Sequence, residues 1–248
     1  MLRYFPAPYP GEWWYSLLCR YHVRSGNCKH QTTVRELFEN KVLVQMGALF
    51  PNSTILRVGN QLPETLFPIR QFIIRNTLFP YFTRFYTHAE KEKMLRELEH
   101  GKSIITTSIR RFSDFRHWTP RYCPFCYAAD KEQYGEAYWH IEHQIALAKY
   151  CPRHECRLIS TNISPSQLSY TFFPLDSISL EEPRFDQASR LDTQISSILV
   201  SYQQLPLEYG ITPDYNNLAL LLGNKGYEVI QKHSPHTILD ARRLYKDL

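Results

Sequence analysis

Apolar residues recur at helical spacing near the start of the chain. Trp13, Trp14, Leu17, Leu18 and Tyr21 fall three and four apart, which predicts a helix over 13–24. Ser25-Gly26-Asn27 then stops it, because Gly or Asn accepts the left-handed cap. Before it, 1–11 carries three Pro and one Gly and reads as an extended arm. A second helix is signalled by Thr33-x-x-Glu36, a capping box followed by Leu37 and Phe38. Two helices in succession have helix-turn-helix character. The link is longer than the usual tight turn, so a plain helical hairpin competes. Residues 47–63 read as loop. The apolar run 66–85 should break at Phe79, ahead of Pro80. A further helix should start at Thr87, capped with Glu90, and bury Met94, Leu95 and Leu98 before Gly101.

In the second half, Tyr138, Ile141, Ile145 and Ala148 form a stripe that predicts a helix over 136–149. Residues 159–186 are rich in Ser and Pro and read as a connector with one strand at 169–173. Helices are expected over 187–204, from about Asp214, and over 236–248. The fold class is therefore mainly α. A helical N-terminal domain with helix-turn-helix character (1–121) precedes a zinc-finger or zinc-ribbon module (122–158). A connector (159–186) and a small C-terminal helical bundle (187–248) follow. The sequence contains neither an internal repeat nor a P-loop.

Length and composition fit this division. The chain has 248 residues, with 43% hydrophobic and 14% aromatic content, enough for real cores and too apolar for disorder. Net charge is +5, unevenly spread. Residues 1–122 hold 18 Lys/Arg against 9 Asp/Glu, a balance of +9; residues 123–248 hold 11 against 15, a balance of −4. The front half is thus the half suited to a polyanion, with an ordinary basic surface as the competing explanation. The first residues show no signal-peptide pattern and no run is long enough to span a bilayer, so a soluble, intracellular protein is expected.

The chemistry sits in the cysteines. Of six, four fall between 123 and 156. Cys123-Pro124-Phe125-Cys126 and Cys151-Pro152-Arg153-His154 each place two ligand-capable side chains two residues apart. This is the spacing of a pair of zinc knuckles, and Cys123, Cys126, Cys151 and His154 make a closed Cys3His set for one structural Zn2+. Cys156 is the alternative to His154. Three thiolates and a neutral imidazole leave about −1 at the site, which favours Arg121 and Arg153 nearby. A catalytic zinc keeps an open position, so a zinc hydrolase or nuclease is a remote reading. His140, Glu142 and His143 read as ordinary surface positions on the expected helix. Ahead of the knuckles, Lys102, Arg110, Arg111, Arg116 and Arg121 alternate with Phe112, Phe115 and Trp118. Such interleaving suits phosphate contacts, although a partly buried segment with snorkelling arginines would look the same.

These residues carry a resemblance. Phe5-Pro6-x-Pro8-Tyr9-Pro10-x-Glu12, then Tyr15-Ser16 and Arg20, resemble the opening of the TniQ/TnsD family. The 76–81 segment Asn-Thr-Leu-Phe-Pro-Tyr looks like the corresponding one in TnsD-type members. Arg121-Tyr122-Cys123-Pro124-x-Cys126, the 134–139 segment Tyr-Gly-Glu-Ala-Tyr-Trp, and Tyr150-Cys151-Pro152-x-His154 are similar to the family's zinc-finger block. The resemblance covers residues 4–158 well. It implies a non-enzymatic target selector of a bacterial transposon, cytoplasmic and nucleoid-associated. Such a protein binds double-stranded DNA or a target-bound complex and recruits a TnsC-like AAA+ regulator. Short members instead ride on an RNA-guided CRISPR effector complex. Longer members read an attachment site through further C-terminal segments, so the runner-up is a stand-alone sequence-specific DNA-binding protein. No membrane partner is implied.

Overall fold

The central helix is α1 (Trp14–Ser25), whose first eight residues are all buried. It ends where Gly26 takes φ 69° and returns its N–H to the Val23 carbonyl. The computed structural model describes residues 2–39, 45–102, 118–180 and 190–209, with the backbone of 228–230 and 237–239. The expected capping box at Thr33 does not form. Helix α2 (His30–Phe38) starts four residues earlier, with Lys29 at the N-cap, and Thr33 is buried within it with its hydroxyl 2.7 Å from His22 Nδ1. Glu36 instead accepts from the Asn27 side chain at 2.8 Å. Burying Leu37 and Phe38 completely sets the helix phase, and a tertiary contact outranks the local cap signal.

A helix also forms inside the expected 47–63 loop. In α3 (Ser53–Gly59), Asn52 caps the Thr54 N–H at 3.0 Å, while Ile55 and Val58 are buried. The break near Pro80 falls earlier than expected. Helix α4 (Ile69–Asn76) stops at Thr77, and α5 (Phe79–Thr83) takes Pro80 into its first turn, where a missing N–H costs nothing. Helix α6 (His88–Glu99) carries the expected capping box: Glu90 N–H to Thr87 Oγ1 at 3.3 Å, and Thr87 N–H to Glu90 Oε2 at 2.8 Å.

The knuckle region follows as β1 (Arg121–Tyr122), α7 (Pro124–Tyr134) and β2 (Ile159–Ser160). The two strands pair antiparallel, Arg121 opposite Ser160 and Tyr122 opposite Ile159. The expected helix over 136–149 is absent. The helix of this module starts inside the first knuckle and ends at Gly135, which has φ 76°. Beyond it the chain is irregular apart from a 3-10 turn at Glu142–Gln144. Tyr138, Ile141, Ile145 and Ala148 are buried as expected, but in an irregular path. That path makes only short turns with itself and bonds across the fold to the N-terminal arm. Trp13 N–H donates to the Trp139 carbonyl and Ile141 N–H to the Gly11 carbonyl, both at 2.8 Å, and the Glu12–His140 pair forms an antiparallel bridge. A backbone whose donors are satisfied across the fold has no need of a helix.

The expected strand at 169–173 is likewise absent. A 3-10 turn occupies Gln167–Ser169, and the chain after it is held by a side chain. Tyr15 Oη donates to the Thr171 carbonyl at 2.7 Å and accepts from Phe173 N–H at 2.9 Å. Helix α8 (Arg190–Gln204) matches the expected one and docks on α5 through Gln203, whose amide accepts from Tyr81 N–H at 3.3 Å and donates to the Thr77 carbonyl just before α5 at 2.8 Å. Strands β3 (Glu228–Ile230) and β4 (Thr237–Leu239) pair antiparallel, so the helix expected over 236–248 is strand at 237–239. The helix expected from Asp214 lies outside the described residues. One buried apolar cluster draws on Leu2, Trp13, Leu37, Phe79, Leu95, Trp139, Leu168 and Val200, so arm, helices and knuckle insert share a core. Among the described residues no helix is long and apolar enough to cross a membrane.

Candidate metal centre

Both knuckles are short turns clamped by backbone bonds. Cys123 is the N-cap of α7, with Pro124 in its first turn, and its Sγ accepts from Cys126 N–H at 3.4 Å. The end of a helix that presents N–H groups favours a thiolate. On the other side, Cys151 N–H donates to the Cys156 carbonyl and Glu155 N–H to the Cys151 carbonyl, both at 2.8 Å. Glu155 takes φ 49°, which closes this turn, and the Tyr150–Arg157 bridge spans it. The β1–β2 pair joins the strand entering the first knuckle to the strand leaving the second.

Four ligand atoms meet between the knuckles. Cys123, Cys126 and Cys151 are buried and His154 is exposed. His154 Nδ1 lies 3.5 Å from Cys123 Sγ, 3.4 Å from Cys126 Sγ and 3.6 Å from Cys151 Sγ, and Cys126 Sγ is 3.7 Å from Cys151 Sγ. With bonds of about 2.3 Å to sulfur and about 2.05 Å to nitrogen, a tetrahedral zinc requires edges of about 3.8 Å and about 3.6 Å respectively. The observed edges match, so the four residues fit zinc, with Nδ1 as the imidazole ligand. Zinc would hold the three cysteines as thiolates, and three thiolates at this spacing need a positive ion among them. Cys156 Sγ sits 3.3 Å from Cys123 Sγ, a second-layer thiol beside the four-atom set.

The expected basic residues are distributed differently. Lys102 is exposed, just past the end of α6, and its N–H donates to the Glu97 carbonyl at 2.9 Å. Arg110, Arg111 and Arg116 lie outside the described residues. Arg121 departs from the expected phosphate contact: it is 9% exposed, and its guanidinium donates to the carbonyls of Ala148 at 2.8 Å, Ala146 at 3.4 Å and Ile145. Burial pushes its pKa down to about 10, and it acts as a cross-link between β1 and the end of the knuckle insert. Trp118, where the described chain resumes, packs edge-on against Trp13 at 5.6 Å.

Two buried polar groups escaped the sequence reading. Glu136 Oε1 accepts from Tyr9 Oη at 2.8 Å, Arg20 Nε at 2.9 Å, and Arg24. Arg20 also pairs with the fully buried Glu12 at 2.7 Å, and burial pushes the Glu12 carboxyl up to about 7 even so. The second group corrects the expected surface placement of His140, Glu142 and His143, which are 1%, 4% and 1% exposed. Their aromatic and aliphatic neighbours, Tyr138, Trp139 and Ile141, were the available signal, because a stretch apolar on all sides is buried whatever its polar residues.

The TniQ family matches residues 3–158, which span the arm, the helices through α7 and both knuckles. The transposon Tn7 transposition protein TnsD of Escherichia coli is 26% identical over 241 aligned residues, covering 85% of this chain and 46% of that protein. The chain therefore spans about half the length of the curated relative it matches.

Proposed function

Because the chain belongs to the TniQ family, we propose that it is a zinc-braced adaptor that selects the target in DNA transposition. On this reading it contacts target DNA, or a complex already bound there, and recruits an AAA+ transposition regulator. The observation that carries the reading is the family match across 3–158, together with similarity to a transposition protein over most of the chain. No catalytic step belongs to the reading. Zinc, when bound by Cys123, Cys126, Cys151 and His154, supplies a closed cross-link, and four protein ligands leave no position for a substrate.

The chain's own residues do the rest. Lys102 and the arginines at 110, 111 and 116 are the phosphate-contacting set, because they lie in one basic stretch ahead of the knuckles. Both ends of that stretch are held. Lys102 follows a satisfied helix end, and Trp118 and Arg121 are locked into the core and the knuckle insert. A charged segment joined at both ends to fixed residues loses less entropy on meeting DNA than a free tail. The test is co-precipitation of the AAA+ regulator on immobilised DNA, on naked duplex and on duplex carrying an RNA-guided effector. Retention that depends on this chain in either arm supports the adaptor. Footprinting of one fixed site by the chain alone, with no regulator retained in either arm, replaces it with a stand-alone DNA-binding protein.

A further inference from the structure

His140, Glu142 and His143 each offer a ligand atom, and the three atoms lie within 4.8 Å of one another in the interior. The zinc knuckles do not include them. His140 Nε2 is 2.8 Å from Asp130 Oδ2, and Asp130 is itself buried on α7. A carboxylate only accepts, so Nε2 carries the proton and the Nδ1 lone pair is left free. That Nδ1 is buried and has no hydrogen-bond partner among the described residues. An imidazole whose far nitrogen donates to a carboxylate while its near nitrogen points at nothing is arranged like a metal ligand with its supporting acid. His143 is likewise oriented through its Nε2, by a sulfur in place of a carboxylate. Its Nε2 faces Cys126 Sγ at 3.8 Å, and where Cys126 is a zinc thiolate this nitrogen donates, which leaves the lone pair on Nδ1. Glu142 Oε1 forms an ion pair with Arg153 at 2.9 Å, yet it is buried and has no hydrogen-bond partner among the described residues. Backbone constraints hold the cluster together. His140 is bridged to Glu12, its carbonyl accepts from Gln144 at 2.9 Å, and its ring stacks on Tyr138 at 4.3 Å.

We propose that His140, Glu142 and His143 bind a second divalent ion, of the class that takes imidazole and carboxylate ligands, with Asp130 holding His140 from behind. Two imidazoles and one carboxylate suit zinc or a neighbouring first-row divalent metal. Tetrahedral ligation needs ligand atoms about 3.4 Å apart, so binding draws the three ligand atoms together from within 4.8 Å. The His140 and Asp130 geometry stands independently of the Cys3His centre; only the His143 proton placement rests on it.

The test is titration of the full metal-free chain with Co2+, backed by zinc analysis after reconstitution. A Cys3His site gives a thiolate-to-cobalt charge-transfer band; a His2Glu site gives none. The expected result is about two ions per chain, the first to bind developing the band and the second adding only ligand-field absorption. His140→Gln should bind one ion and keep the band, and Glu142→Gln, which preserves size and most packing, should weaken the second ion at least tenfold. One ion per chain at saturating metal with the band intact overturns the second site. So does a second ion that survives both substitutions unchanged. Loss of the band alone, as in Cys123→Ser, reports on the knuckle centre and not on this one.

Discussion

Glu136→Gln tests how the knuckle insert is joined to the N-terminal helices. Glu136 Oε1 accepts from Tyr9, Arg20 and Arg24, and Arg20 is 5% exposed. The amide keeps an acceptor of the same shape but removes the charge. A hydrogen bond to a charged group is worth about 1.5–3 kcal/mol, against about 0.5–1.5 for a neutral one. Arg20 retains Glu12, and the Arg24 side chain is 40% exposed and screened, so its share is small. The expected loss is about 2 kcal/mol, mostly the Arg20 share. At about 2–4 °C per kcal/mol for a chain of this size, the melting temperature should fall by about 4–8 °C. Burial alone would push the Glu136 pKa up, but hydrogen bonds from Tyr9 and Arg20 and the charges of Arg20 and Arg24 hold it below the usual carboxylate value. A depressed carboxylate contributes stability that is complete above its unfolded value, about 4.3, and is lost as pH falls through the folded value. Urea unfolding of both proteins, followed by tryptophan fluorescence, should therefore show the full gap at pH 7 and a shrinking gap below about pH 4. Metal loss in acid affects both proteins and cancels in the difference. Equal midpoints at pH 7, or a gap that stays constant into acid, would refute the coupling.

Other predictions are more local. At Gly47 an added Cβ would meet Leu168 Cβ at 2.4 Å, so Gly47→Ala should cost about 1–3 kcal/mol by denaturant midpoint; Gly59→Ala, which meets the ends of the Ile69 and Phe67 side chains, should cost less. Thr87→Ala removes the formed capping box and should destabilise by about 1 kcal/mol in the same assay. Cys123→Ser and Cys151→Ser should each lower zinc content and melting temperature, and full stoichiometry in both would sink the Cys3His assignment. The pair Arg110→Ala with Arg111→Ala should flatten the salt slope of DNA binding by about 1.8 if each contacts one phosphate. An unchanged slope and affinity would remove the basic stretch from the interface.

Much of the architecture was legible because it is local. The α1 stripe, the Thr87 cap and α8 follow from spacing and capping chemistry within one element. The knuckle ligands were legible for a similar reason, since two short turns fix which sulfurs and nitrogen face one point. The knuckle insert was not. Its period mimics a helix, yet its backbone partners are Gly11 and Trp13, more than 100 residues earlier, and no local rule registers them. The same distance hid the Glu136 ion pairs and made His140 and His143 look like surface residues. Arg121 misled for a related reason: a guanidinium held by three backbone carbonyls has the same sequence as one that meets a phosphate.

In the proposed adaptor, zinc braces a surface on which DNA and an AAA+ regulator meet. The most direct measurement compares regulator retention on target-bound DNA by the zinc-loaded chain, by the same chain after chelation, and by Cys151→Ser. Retention by the loaded chain, lost on chelation, restored by zinc and absent in the variant, is the predicted result. Equal retention by all three, with metal analysis confirming that zinc is gone from the last two, would contradict it.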